Sequence, residues 1–404
     1  MEELTEEPVE LVARVCAVDI GKAGLVVCVR VPHETRPGRR VQEVREYAAV
    51  TPALLALADW LRCQQVELVA MEATSDYWKP VFYLLEAEGF TCWLLNAKHV
   101  KNVPGRPKTD KLDAVWLAKV VERGMCRPSL VHPKPIRRLR DVTRYRRSLV
   151  REQTREKLRL EKILEDAQIK LDSVISDLHG VCGRQMLQAL VEGQRDPTVL
   201  AQMARGSMRR KIPQLPEALT GHFDDHHAYL CATMLRRIDA LAADIAQLDT
   251  RIEELIAPFA QAVDRLDEVT GTGLRSAQEL IADANSAGKK KGGATGKGNP
   301  WLAGTLGEIV AGLSRTDTFL GERYRRLIRR RGKKRAIVAL GNSVLTIIWN
   351  LLSDPEVRYR DLGSAYYESR INNQQRQRDL VRQLEHLTGH KVILQPPPEL
   401  PTAA

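Results

Sequence analysis

Four carboxylates stand in settings that suit divalent-metal chemistry: Asp19, Glu72, Asp110 and Asp113. Asp19 follows the apolar, β-rich run 11–18, and Glu72 follows a second such run, 66–71. Each strand therefore delivers an acid at its C-terminal end. Asp110 and Asp113 lie three apart at the start of a helix predicted over 109–123, with Thr109 as its N-cap, and positions i and i+3 share one helical face. Each acid alone has an ordinary reading, since an Asp in a first turn offsets the helix macrodipole and a Glu before a loop is solvated. The order strand-end Asp, strand-end Glu, helical Asp-x-x-Asp asks for more. An open carboxylate cluster suits Mg²⁺, which takes a few carboxylates and leaves positions for water and phosphate oxygens. Two such ions clamp the attacking and leaving oxygens of a phosphodiester.

The surrounding elements must bring these acids together. Runs 11–18 and 25–31 read as a hairpin about the turn 21–24, which places Asp19 at a strand exit on a sheet edge. A strand over 41–50, a helix over 51–63, the Glu72 strand, a helix over 77–88, a strand over 90–95 and the Asp110 helix follow. Three strands and then alternating helix and strand indicate an α/β domain.

The motifs Asp19-Ile-Gly-Lys, Met71-Glu72-Ala73-Thr74-Ser75, Asn96-Ala97-Lys98 and Lys108-Thr109-Asp110-Lys111-Leu112-Asp113-Ala114 resemble the RuvC-like domain of the insertion-sequence one-ten transposases, also called DEDD transposases. The resemblance runs over 12–130. It implies a ribonuclease-H-like (RuvC-like) fold, with Asp19, Glu72, Asp110 and Asp113 as the ligands of catalytic Mg²⁺.

At 404 residues the chain is long enough for two or three domains. Sixty-two Lys and Arg against 51 Asp and Glu give a net charge of +11, which favours a polyanionic partner, DNA or RNA. Seven cysteines without a Cys-x-x-Cys pair suggest neither a disulfide framework nor a zinc site, so a reducing, cytoplasmic setting is expected. The start Met-Glu-Glu-Leu-Thr-Glu-Glu is too acidic for a secretory signal. No apolar run reaches about 18 residues, so no membrane partner is expected.

Beyond Pro128, Pro133 and Pro135 the run 136–178 is nearly free of helix breakers and reads as one long helix. Its first half carries ten Lys and Arg against Asp141, Glu152 and Glu156. With so few acids nearby to pair, Arg144, Arg147, Arg151 and Arg155 are assigned to nucleic acid. A second helix, 228–257, carries Met234, Ile238, Leu241, Ile245, Leu248, Ile252 and Leu255 as a heptad seam, open to pairing within the chain or with another subunit. His222, His226 and His227 lack a third metal ligand at recognisable spacing and read as exposed. Thr270-Gly271-Thr272-Gly273 before a helix over 275–284 fits either a phosphate-binding hairpin or an ordinary turn.

The C-terminal stretch carries Ser286-Ala287-Gly288-Lys289-Lys290-Lys291, Lys297-Gly298-Asn299-Pro300-Trp301-Leu302 and Arg329-Arg330-Arg331-Gly332-Lys333-Lys334-Arg335-Ala336. It resembles the C-terminal domain of the same transposases over 266–352 and on to Gly363. That resemblance implies that Ser286 is the nucleophile joined covalently to DNA, that a structured bridge RNA guides the exchange of DNA strands, and that the protein assembles as a homo-oligomer. Lys289, Lys290, Lys297, Arg330, Lys333 and Lys334 would then meet phosphates. Two features depart from the family pattern: relatives have a longer segment before the Ser-Ala-Gly element, and Leu302 is followed by Ala303-Gly304 where relatives more often have Arg. A water-using RuvC-like junction nuclease and a catalytically disabled nucleic-acid-binding derivative remain competing readings. The expected organisation is α/β plus α: a RuvC-like metal domain (1–130), a helical coiled-coil region (131–262), a mostly helical C-terminal transposase domain (263–365), and a tail (366–404) of short amphipathic helix and disorder.

Overall fold

The computed structural model describes residues 12–36, 39–96, 100, 110–284, 298–369 and 373–393. The chain divides into two compact units, Met1–His132 and Pro133–Ala404.

The first unit is built on a six-stranded sheet of β1 (Val15–Ile20), β2 (Gly24–Pro32), β3 (Arg40–Ala48), β4 (Leu68–Glu72), β5 (Thr91–Leu95) and β6 (Pro128–Ser129), in the order β3-β2-β1-β4-β5-β6. β1, β2 and β3 pair antiparallel, β4 and β5 run parallel to β1, and β6 returns antiparallel. Helices α1 (Thr51–Cys63) and α2 (Trp78–Ala87) bury Leu54, Leu57, Leu61, Val81, Phe82 and Leu85 with Cys16, Val18 and Ile20 of β1. Helix α3 (Asp110–Glu122) packs Ala114, Leu117, Ala118 and Val121 against Val15, Ala17, Leu68 and Ala70. Alternate residues of β1 thus enter opposite cores, as the period of two requires. One expectation fails: β1 is paired on both sides, so Asp19 leaves an interior strand rather than an edge. The buried run Val15–Val18, apolar at every position, is the signature of a strand covered on both faces.

The second unit is helical. Its spine is an antiparallel pair, α4 (Lys134–Asp166) and α9 (Asp225–Ile256). The contacts run in opposing order: Arg146 to Asp249, Gln153 to the Ile238 carbonyl, Arg237 to Glu156 and His227 to Asp166. Of the heptad residues, Ile238, Leu241 and Ile252 are buried, while Met234, Ile245, Leu248 and Leu255 are only partly buried. The breaker-poor run does not continue as helix to 178. Gln168 takes a positive φ of 59°, after which Ile169, Leu171, Ile175 and Leu178 turn into a separate core.

That core is completed by the short helices α5 (Leu171–Val174), α6 (Val181–Val191), α7 (Pro197–Ala201) and α8 (Leu215–Ala218), at the end of the spine holding Leu160, Leu164, Cys231 and Leu235. At the other end, Ile136, Leu139, Ile252 and Ile256 join a core formed by α10 (Ala260–Asp267), α11 (Leu274–Asp283), α12 (Pro300–Leu313), α13 (Phe319–Arg331) and α14 (Lys333–Ser353). The chain continues through α15 (Tyr366–Ser369) and α16 (Asn373–Thr388). By length and composition α14 could cross a membrane, with mean hydropathy 1.7. Its inner side, Ala336, Leu340, Val344, Ile348 and Leu351, lies in the helical core.

His227 also departs from expectation, being only 8% exposed. Its backbone N–H donates to Asp224 Oδ1, and its ring shares a 2.6 Å contact with the same carboxylate. This reciprocal capping box starts α9, a local role that spacing for metal ligands does not detect.

Candidate catalytic and nucleic-acid sites

Strand register accounts for the meeting of the first two acids. β1 and β4 run parallel with Val18 opposite Met71, which brings the next residues, Asp19 and Glu72, side by side at the strand ends. Both have the parity of Ala17 and Ala70, whose side chains enter the core under α3. Asp113 stands in that helix, one turn before the buried Leu117. Asp19, Glu72 and Asp113 line one small pocket of about 10 Å³ with Trp116 and Leu117, room for about one water-sized particle. Glu72 is 7% exposed, while Asp19 and Asp113 are partly buried.

Asp110 is the first residue of α3, but its side chain lies outside the described residues, as do Thr109, Ser286, Lys289, Lys290 and Lys297. The pocket offers only oxygen donors, the set that Mg²⁺ prefers. Among the described residues, no group of three or more His, Cys, Asp or Glu side chains is placed to hold a metal ion. The three carboxylates therefore share a pocket without forming a finished coordination shell. Trp116 was not anticipated, although its position three residues after Asp113 places it on the same helical face.

The chain turns sharply after Glu72: Thr74 N–H donates to the Glu72 carbonyl at 3.0 Å, and Ser75 has a φ of +46°. A separate cleft of about 210 Å³ opens at the end of β5, bordered by Leu95, Asn96, Val100, Met125, Cys126 and Arg127. The Asn96 of the quoted motif thus stands beside open space.

The arginines of α4 fall into two groups. Arg144 donates to Asp283 at 2.6 Å, and Arg140 lies 3.2 Å from the same carboxylate. Arg147 donates to Glu279 and Thr305, each at 2.9 Å, and also pairs with Glu308. Its guanidinium lies against Gly304, where a Cβ would come within 2.7 Å of Nη2. Arg144 and Arg147 therefore already have carboxylate partners on α11 and α12, acids invisible to a count along α4 alone. Arg151 and Arg155 are exposed, with Arg151 lying 5.1 Å from the centre of the Trp301 ring.

Asp283 is 3% exposed and also accepts from Asn299 Nδ2 at 3.1 Å. Asn299 in turn caps α12 through the Trp301 N–H at 3.0 Å. Arg330, Lys333 and Lys334 are exposed around the junction of α13 and α14, where Gly332 takes φ +74°. None of the three forms an ion pair with a described residue.

A family model described as Transposase, that of the DEDD transposases of the insertion-sequence one-ten type, matches residues 16–169. The match runs from β1, through all four acids, to the turn that ends α4. No curated protein matches the chain. Residues 16–169 of the chain thus match the insertion-sequence one-ten family of DEDD transposases.

Proposed function

We propose that this transposase cleaves and exchanges DNA strands at a ribonuclease-H-like (RuvC-like) Mg²⁺ site made by Asp19, Glu72, Asp110 and Asp113, with Ser286 as nucleophile and a bridge RNA as guide. The observation that carries the reading is the shared pocket of Asp19, Glu72 and Asp113 at adjacent strand ends. The strand order around β1 and the family match across all four acids support it. Bound Mg²⁺ would supply Lewis-acid stabilisation of the phosphate oxygens.

The chain's own part is to orient that charge. Glu72 is held by the β4–β5 register, Asp19 by β1, and Asp113 by the seating of α3 on the sheet. In the proposed step the Ser286 hydroxyl oxygen bonds to phosphorus and one sugar oxygen leaves, taking up a proton. The product is a serine–phosphate ester, from which a second strand's hydroxyl can displace the serine. Exposed Arg151, Arg155, Arg330, Lys333 and Lys334 would engage nucleic-acid phosphates. Base pairing to the guide, rather than base-edge contacts, would select the sequence.

The test is a denaturing gel of protein incubated with Mg²⁺, guide RNA and DNA carrying the target. A covalent protein–DNA adduct is expected, and Ser286→Ala should remove it while Asp19→Asn prevents its formation. Cleavage without an adduct would replace this reading with that of a water-using junction nuclease. Binding without cleavage, if it persisted after the short segment before Ser286 was lengthened to the family pattern, would leave a binding-only derivative.

A further inference from the structure

Helix α6 is two-sided. Met186, Leu187 and Leu190 enter the core at one end of the spine, while Gln185, Gln188 and the following Glu192 share the opposite face, at spacings of three and four. That polar face forms one wall of a cleft of about 460 Å³, within the range of roughly 300–1,000 Å³ usual for small-molecule sites. Gln202, Met203, Arg205 and Arg209 form the other side.

Two observations ask for an occupant. Gln185 Oε1 is cut off from solvent and has no hydrogen-bond partner among the described residues, and leaving a buried acceptor unmet opposes folding. Arg205 and Arg209 are exposed, and neither forms an ion pair with a described residue. The cleft is nonetheless held firmly. The Arg205 backbone N–H donates to Cys182 Sγ of α6 at 3.2 Å, and Gln188 Nε2 donates to Glu192 Oε1 at 2.9 Å.

We propose that this cleft holds one nucleotide, its base edge on the amides of Gln185 and Gln202 and its phosphate on Arg205 and Arg209. A side-chain amide presents a donor and an acceptor in one plane, which is the pattern of a base edge. The guanidinium fork matches phosphate oxygens, and Met203 adds a polarizable surface for a ring. The combination is selective: an inorganic anion has no use for the amides, an uncharged ring has none for the arginines, and acidic side chains of a peptide carry acceptors only. The nucleotide is either free or an unpaired residue turned out of a strand, and both present the same base and phosphate. The site uses no residue of the proposed strand exchange and lies outside the segment that the family model matches.

The test uses the full chain and two photoreactive probes, 8-azidoadenosine 5′-monophosphate and 4-thiouridine 5′-monophosphate, with labelled peptides identified by mass spectrometry. Saturable labelling of residues 185–192 or 202–209 is expected, displaced by unlabelled nucleoside monophosphates. Joint Arg205→Ala and Arg209→Ala replacement should weaken every monophosphate by at least about tenfold. Gln185→Leu should shrink the preference between the best and worst base by about fivefold or more. Because it also removes the orphaned acceptor, its melting temperature should match or exceed the parent's, which separates lost recognition from lost fold. A short single strand that displaces the probe better than its own monophosphates identifies a turned-out residue as the occupant; one that does not identifies the free nucleotide. Absence of labelling, labelling spread over other basic surfaces, labelling undiminished in the double arginine variant, or stronger displacement by a phosphoserine peptide than by any monophosphate would each overturn the proposal. None of these readouts depends on strand cleavage, so this site and the proposed function fail separately.

Discussion

At the end of β1 and β4, like charges meet, whereas along the first half of α4 opposite charges do. Asp19 and Glu72 are set side by side by strand register. Arg144 and Asp283 come together across 139 residues of chain, and Arg147 and Glu279 across 132. Neighbouring like charges on adjacent strands oppose folding, whereas a cation between them would offset that repulsion, as the proposed Mg²⁺ would. The arginine pairs stabilise the lobe by themselves. Charge density along one helix therefore does not by itself mark a binding surface; the partners that the fold brings to it decide.

The largest expected effect follows at the pocket. Asp19→Asn, Glu72→Gln and Asp113→Asn should each reduce strand cleavage to background while leaving DNA binding near that of the parent. Their urea midpoints should stay close to the parent's if the acids serve catalysis rather than the fold. A marked loss of stability in Asp19→Asn would mean that the acids pair structurally, and the contrast with α4 would collapse.

Arg147→Ala should do the opposite. Its side chain is 11% exposed and reaches Glu279, Glu308 and Thr305. Removing it leaves the largely buried Glu279 with only the Thr305 hydroxyl among these partners and should cost about 2–3 kcal/mol in denaturant unfolding, somewhat below the range for a fully buried pair. Nucleic-acid affinity at temperatures where the lobe stays folded should change little. A selective loss of affinity without loss of stability would return Arg147 to the binding surface.

The same contrast marks what was legible in the sequence. Strand-end acids are local features: apolar runs, a turn and helical spacing suffice to place Asp19, Glu72 and Asp113 near one another, and the α/β order of the first unit was readable for the same reason. The partners of Arg144 and Arg147 were hidden because Asp283 and Glu279 lie on a helix beyond the whole α4–α9 hairpin. The end of α4 was missed because no Pro or Gly marks it; Gln168 turns in the left-handed region instead, so that the following apolar residues can enter their own core. His227 looked like a candidate ligand or a surface residue, because a capping box shows only once the helix start is known. The role of Ser286 rests on family resemblance alone.

Smaller effects are expected from the arginines that have no carboxylate partner among the described residues. Arg151→Ala and Arg155→Ala should each lower the salt dependence of duplex binding by up to about 0.9 in log–log slope, one phosphate contact's worth. Arg144→Ala should leave that slope unchanged. Titrating affinity between low and moderate salt reads both at once, and equal slopes for all three variants would remove the distinction drawn along α4.

The smallest effect concerns pH and carries the comparison back into the first unit, where one acid is paired with opposite charge. Glu122 lies 2.6 Å from Arg30 Nε and 3.2 Å from Arg40 Nε. Burial is the largest single influence and works to raise its pKa, but the hydrogen bonds and charges of Arg30 and Arg40 together outweigh it and hold the carboxyl below the usual range. A carboxyl with a depressed folded-state pKa adds stability that is complete above its unfolded pKa, about 4.3 for Glu. That contribution is lost as pH falls through the lowered folded value. Glu122→Gln should therefore lower the melting temperature of the first unit at neutral pH and flatten its acid limb below about pH 4.3, while Asp19→Asn should produce no such loss at neutral pH. Parallel acid limbs in the parent and Glu122→Gln would show that the ion pairs at the foot of α3 contribute nothing measurable, as many partly exposed pairs do.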